Sequence, residues 1–130
     1  MRANSRTARQ AFLERNTSAK YERACARRYP FVASIELTDL QSETHIREQT
    51  SDLSLFGCHV DADHLLLTGT TVRIRIVHAG ASFVALGKVA YAVSSTGMGV
   101  AFTKIEPNYQ LVLDNWIGQL RDAGEKQAKV

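Results

Sequence analysis

The run Ser51-Asp52-Leu53-Ser54-Leu55-Phe56-Gly57 sets a carboxylate and two hydroxyls just ahead of a glycine. About 25 residues upstream stand three arginines, Arg23, Arg27 and Arg28. On an extended chain Asp52 and Ser54 are two apart and share a face. Gly57 lets the backbone turn tightly and lets a ligand or another strand come close. A carboxylate accepts hydrogen bonds from the polar edge of a guanine. Guanidinium groups pair with phosphates in a planar fork and stack on bases. Acceptors facing forked donors in this way suit a guanine nucleotide.

Strands must carry these groups. Tyr29-Pro30 marks a change of regime, because the residue before proline is pushed toward extended geometry. Phe31–Leu37 reads as a first strand ending at Thr38-Asp39, His45–Thr50 as a second that leads into Asp52, and Leu55–Val60 as a short third. Leu65-Leu66-Leu67 precedes a turn at Thr68-Gly69-Thr70. Val72–Val77 alternates cleanly, which buries one face and turns Arg73 and Arg75 outward. Phe83–Val93 is a long strand with a bulge or bend at Gly87, and Gly97–Phe102 is the last. Leu113, Trp116, Ile117 and Leu120 then recur at helical spacing and form one apolar face. Pro107 suits the first turn of that helix, and Gly124 its stop. Short strands at regular spacing followed by one amphipathic helix predict a small β-barrel with a helix over one opening.

At 130 residues and 45% hydrophobic, the chain fits one domain with a real core. The net charge of +3 is unevenly spread. Residues 1–30 hold eight basic residues against two acidic ones, a balance of +6, and the remainder holds eight against eleven, a balance of −3. The basic character belongs to an N-terminal arm, which either meets a phosphorylated partner or is simply solvated. Ala8, Ala11, Phe12 and Leu13 give the arm at most a short helix. Cys25 and Cys58 form neither a CxxC pair nor a disulfide framework, which suits a reducing compartment. No apolar run approaches the about 18 residues of a membrane span, and the basic N-terminus lacks the apolar stretch of a secretory signal. A cytoplasmic protein is expected.

Other candidate chemistry is weaker. Cys58, His59, Asp61, Asp63 and His64 fit no zinc spacing, and alternation sends Cys58 and His59 to opposite faces. Cys58 reads as a small core residue, and the other four as lying toward a polar loop. His45 and His78 read as isolated surface residues, and Trp116 as a core anchor. No nucleophile–histidine–acid arrangement and no acid–base carboxylate pair is legible, so no enzyme is expected. Asp52 and Ser54 also have a structural alternative, since short polar side chains at strand ends often bond nearby backbone N–H groups.

Four features in order make the chain similar to PilZ domains, bacterial receptors for the second messenger cyclic di-GMP. They are the arginines before Tyr29-Pro30-Phe31, the [D/N]-x-S-x-x-G form of Asp52-Leu53-Ser54-Leu55-Phe56-Gly57, the segment Gly97-Met98-Gly99-Val100-Ala101-Phe102, and the final helix. The similarity runs from about Arg23 to Leu120. It implies a six-stranded antiparallel barrel with a C-terminal helix, an RxxxR motif on an arm before the first strand, and the second motif on the barrel surface. The dinucleotide lies between the two motifs, and the arm closes over it. By spacing, Arg23 and Arg27 match RxxxR, while Asp52, Ser54 and Gly57 match the second motif. In many relatives, however, the arginine directly before Tyr-Pro is the second of the pair. Here that is Arg28, and the position four earlier is Ala24. Either the pair is Arg23–Arg27 with the strand start shifted by one residue, or Arg28 stands alone.

The expected organisation is a basic arm over residues 1–22, a PilZ-like domain over 23–122 and a frayed tail over 123–130. The expected function is that of a cyclic di-GMP receptor that needs no cofactor or metal and signals to a downstream protein. The alternative is a PilZ-like adaptor that has lost the nucleotide and works through protein contacts, which Ala24 favours. A nucleic-acid-binding barrel is disfavoured, because the body is acidic and has no surface row of aromatics.

Overall fold

The computed structural model describes the backbone of residues 27–128 and the side chains of 27–124. Arg23, Cys25 and the arm over 1–22 lie outside the described residues. The chain forms β1 (Tyr29–Pro30), β2 (Ser34–Asp39), β3 (His45–Leu53), β4 (Gly57–Asp61), β5 (Thr71–His78), β6 (Ala81–Val93) and β7 (Gly97–Lys104), then helix α1 (Pro107–Ala128). All pairings are antiparallel, in the order β1-β3-β2-β5-β6-β7-β4, and a further β3–β4 pairing closes the ring.

The strand expected over Phe31–Leu37 is split. Tyr29 and Pro30 pair with Leu53 and Asp52, and Ser34 pairs with Gln49, so β1 and β2 lie along the same side of β3. They act as one barrel strand, which makes six in the ring. Between them the ladder slips by one residue, and the Thr50 side chain bridges the gap. Its hydroxyl donates to the Phe31 carbonyl at 2.6 Å and accepts from the Ala33 N–H at 3.0 Å. Thr50 is fully buried, so its hydroxyl replaces ladder bonds that water cannot supply.

Alternation along β5 holds as expected. Val72, Ile74 and Ile76 are fully buried, and Arg73 and Arg75 face solvent. Gly87 sits at a register shift against β7, as the strand pattern implied. The third strand starts two residues later than expected. Leu55 and Phe56 belong to the β3–β4 turn, and Gly57 opens β4.

Helix α1 begins at Pro107 and lays Leu113, Trp116 and Ile117 on the barrel, with Leu120 partly buried beside them. The Trp116 ring lies 5.5 Å from Phe31, 5.6 Å from His78 and 6.3 Å from Phe83. These residues come from the break between β1 and β2, the end of β5 and the start of β6, so the helix covers that end of the barrel. His78 is therefore part of an aromatic cluster, 4.6 Å from Phe31, and not the isolated surface residue expected. His45 is exposed, with its ring on the Thr38 hydroxyl. Gly124 does not stop the helix, which runs on to Ala128 where a frayed tail was expected. Gly124 keeps an ordinary helical φ, unlike Gly69, Gly80 and Gly97. One glycine costs about 1 kcal/mol in a helix, and the good helix formers around it offset that.

Candidate functional site

Strict alternation would bury Asp52. Thr50 is fully buried, so a residue two further on should also point inward. A bulge between Thr50 and Asp52 reverses the parity. Leu53 then faces the core, and the Asp52 carboxylate emerges on the outer wall. The same happens on β6. Phe83, Ala85 and Val89 face inward, and a shift between Val89 and Tyr91 turns Tyr91 outward. Cross-strand pairing then aligns Asp52 with His59, His59 with Gly99 and Gly99 with Tyr91. The result is one outer row across β3, β4, β7 and β6.

Arg28 reaches the ends of this row. Its Nη1 is 3.6 Å from Oδ2 of Asp52. Its pKa is raised, first by a hydrogen bond with the Tyr91 side chain and then by the Asp52 charge, against the opposing effect of partial burial. The guanidinium side chain is 55% exposed, so its pair with Asp52 contributes at most about 1 kcal/mol. Such a pair opens cheaply for a ligand. Arg28 and Tyr91 wall a shallow groove of about 150 Å³ floored by Gly57, Ala90, Gly99 and Ala101. Arg27 points elsewhere, over the Tyr29 ring at 5.5 Å.

The three residues of the Asp-x-Ser-x-x-Gly motif have separate places. Asp52 accepts the His59 N–H through Oδ1 at 3.1 Å, which holds the bulge and leaves Oδ2 toward Arg28. Ser54 does not share the strand face with Asp52. It lies in the turn and is buried, donating to the Gly57 carbonyl at 3.3 Å and accepting from the Phe56 N–H at 3.2 Å. Gly57 has no positive φ and is needed for close approach, since a Cβ there would strike the Val100 carbonyl of β7. Gly57→Ala is expected to cost about 1–3 kcal/mol, because backbone and not a flexible side chain must give way. Urea denaturation checks this, and an unchanged midpoint would mean that β4 can move off β7 freely.

Cys58 faces inward and His59 outward, as alternation implied. Burial pushes the Cys58 thiol up to about 12, which makes it a neutral core side chain. His59 is carried on β4 itself, and its ring reaches the β6–β7 turn at Thr96. Its ring sits on the outer wall, with Nδ1 3.0 Å from the Tyr91 hydroxyl and Nε2 2.7 Å from the Thr96 carbonyl. The alignment of Tyr91, His59 and Gly99 leaves no mark on the linear pattern, because the bulges that produce it are invisible there.

No curated protein sequence matches this chain. Among solved structures, a PilZ domain of CeSA from a cellulose-synthesising bacterium is 20% identical with a TM-score of 0.59, covering 73% of this chain and 98% of that one. The PilZ domain of YcgR from Escherichia coli, solved with c-di-GMP, is 19% identical with a TM-score of 0.59 and covers 81% and 97%. The Bacillus subtilis inhibitor of motility MotI/DgrA is 18% identical with a TM-score of 0.57, covering 80% of this chain and 50% of that one. Among the described residues no helix is long and apolar enough to cross a membrane. The PilZ domain model matches residues 20–119, and with the closed six-stranded barrel and its C-terminal helix this places the chain in the PilZ domain family.

Proposed function

We propose that this domain is a receptor for cyclic di-GMP, binding the dinucleotide over the groove walled by Arg28 and Tyr91, next to the Asp52 carboxylate that pairs with Arg28. The observation that carries the reading is the outward-turned Asp52 carboxylate with the Arg28 guanidinium 3.6 Å away, beside a floor of small residues. Asp52 can accept from a guanine edge. Arg28 can pair with a phosphate or stack on a base, and a surface pair this exposed yields to either at little cost. The basic segment before Arg28 complements the two phosphates and, on this reading, closes over them and changes the surface offered to a partner protein. The Escherichia coli domain of the same fold was solved with c-di-GMP, which supports the proposal. No catalytic step is part of it.

This reading makes Arg28 the anchoring arginine, with Ala24 at the position of its usual partner. Arg28→Ala should weaken binding at least about tenfold, the loss of one charge-assisted contact, while Arg27→Ala should matter little. Ala24→Arg should tighten binding by restoring a second guanidinium. Asp52→Asn keeps an acceptor for the His59 N–H and should cost less than Asp52→Ala. Titration of the variants with fluorescent cyclic di-GMP checks the order. If Arg27→Ala is the damaging substitution, the anchor is Arg27 and the register is the other one.

Ala24 also favours a second reading. With one arginine of the motif missing, the domain would act as an adaptor through protein contacts alone. Absence of binding at high micromolar ligand, in a folded protein, would favour it.

A further inference from the structure

His59 and Tyr91 flank Gly99 in the outer row, one on β4 and one on β6, with β7 running between their strands. Their side chains meet nonetheless, with ring centroids 5.9 Å apart and Nδ1 of His59 3.0 Å from the Tyr91 hydroxyl. The glycine makes this possible. A Cβ at Gly99 would collide with the Tyr91 ring, so the ring lies across β7 where any side chain would stand.

The direction of the hydrogen bonds follows from the far end. His59 Nε2 faces the Thr96 carbonyl at 2.7 Å, and a carbonyl can only accept. Nε2 therefore carries a proton. In the neutral ring Nδ1 is then the acceptor and takes the Tyr91 hydroxyl proton. With its proton committed to His59, the Tyr91 oxygen keeps its lone pairs on the groove that Arg28 also walls, and a guanidinium can only donate to them. Donor meets acceptor at each link from Tyr91 through His59 to Thr96.

We infer that Tyr91, oriented by His59 across Gly99, is a positioning residue that holds the Arg28 guanidinium over the groove before any ligand arrives. The inference rests on the reading of Arg28 as the anchoring arginine. A free arginine must be ordered when it binds, and holding it in place beforehand removes part of that cost. Asp52 at the other end of the row adds a weak ion pair to the same guanidinium. Two bulges that aim Asp52 and Tyr91 outward thus serve one arginine.

The test uses the full chain with Tyr91→Phe, which keeps the ring over Gly99 and removes only the oxygen. Gly99→Ala is the second variant, and it displaces the ring itself. The first readout is the mobility of the Arg28 Nε–H by NMR relaxation in the ligand-free protein. It should be restricted in the unmodified chain and freed in both variants, with an unchanged thermal midpoint for Tyr91→Phe. The second readout is affinity for cyclic di-GMP, expected to fall about fivefold to tenfold in Tyr91→Phe, the loss of one hydrogen bond. Unchanged Arg28 mobility in Tyr91→Phe overturns the inference, and so does a freed Arg28 with undiminished affinity. If the unmodified chain binds no cyclic di-GMP, the proposed function fails, and the NMR readout alone decides whether Tyr91 positions Arg28.

Discussion

Trp116→Ala is expected to lower the stability of the domain by about 3–5 kcal/mol. The indole is nearly fully buried and packs beside the rings of Phe31 in the β1–β2 break, His78 of β5 and Phe83 of β6. No neighbouring side chain can collapse into a void of that size without pulling the helix off the barrel end. The loss corresponds to a fall of about 10–20 °C in thermal midpoint for a domain of this length. Thermal unfolding followed by circular dichroism checks it. An unchanged midpoint would mean that α1 does not close the barrel through this residue. Because Phe31 follows Arg28 by three residues, undocking the helix would also loosen the strand start that carries the arginine.

Thr50→Val should cost about 2–4 kcal/mol, since it leaves two buried backbone groups without partners at about 1–3 kcal/mol each. Valine matches threonine in shape and suits a strand, so packing is conserved and the hydroxyl alone is removed. The Phe31 carbonyl and the Ala33 N–H are the groups left unpaired. Thr50→Ser keeps the hydroxyl and should cost clearly less. Denaturant midpoints for the pair of variants decide the matter. Equal stability of the valine and serine variants would mean that water or backbone rearrangement supplies the missing bonds.

These two residues mark what the linear pattern can and cannot reveal. Trp116 was legible, because Leu113, Trp116, Ile117 and Leu120 recur at helical spacing and only one face of a helix can meet the barrel. Val72–Val77 was legible for the same kind of reason, with a period of two. Thr50 was not. Its place depends on a one-residue slip between β1 and β2, which leaves no mark on hydrophobic alternation. Asp52 was found through its motif, but the shared face assumed for Asp52 and Ser54 ignored the end of β3 at Leu53, which puts Ser54 in the turn. His59 and Tyr91 lie 32 positions apart and meet only because β7 offers a glycine between them. His78 looked like a turn residue until the helix docked beside it. The choice between Arg27 and Arg28 was left open by spacing. The fold supplies a geometric preference, since Arg28 lies beside Asp52 while Arg27 lies over Tyr29.

The central claim is that the groove walled by Arg28 and Tyr91, next to Asp52, takes cyclic di-GMP. Calorimetric titration of the unmodified chain and of Arg28→Ala with cyclic di-GMP tests it most directly, because it reports affinity and stoichiometry together. The account predicts saturable binding by the unmodified chain and a loss of at least about tenfold in Arg28→Ala, equal to about 1.4 kcal/mol. Equal affinity in the two proteins, or no binding heat from the folded unmodified chain at high micromolar ligand, would contradict it.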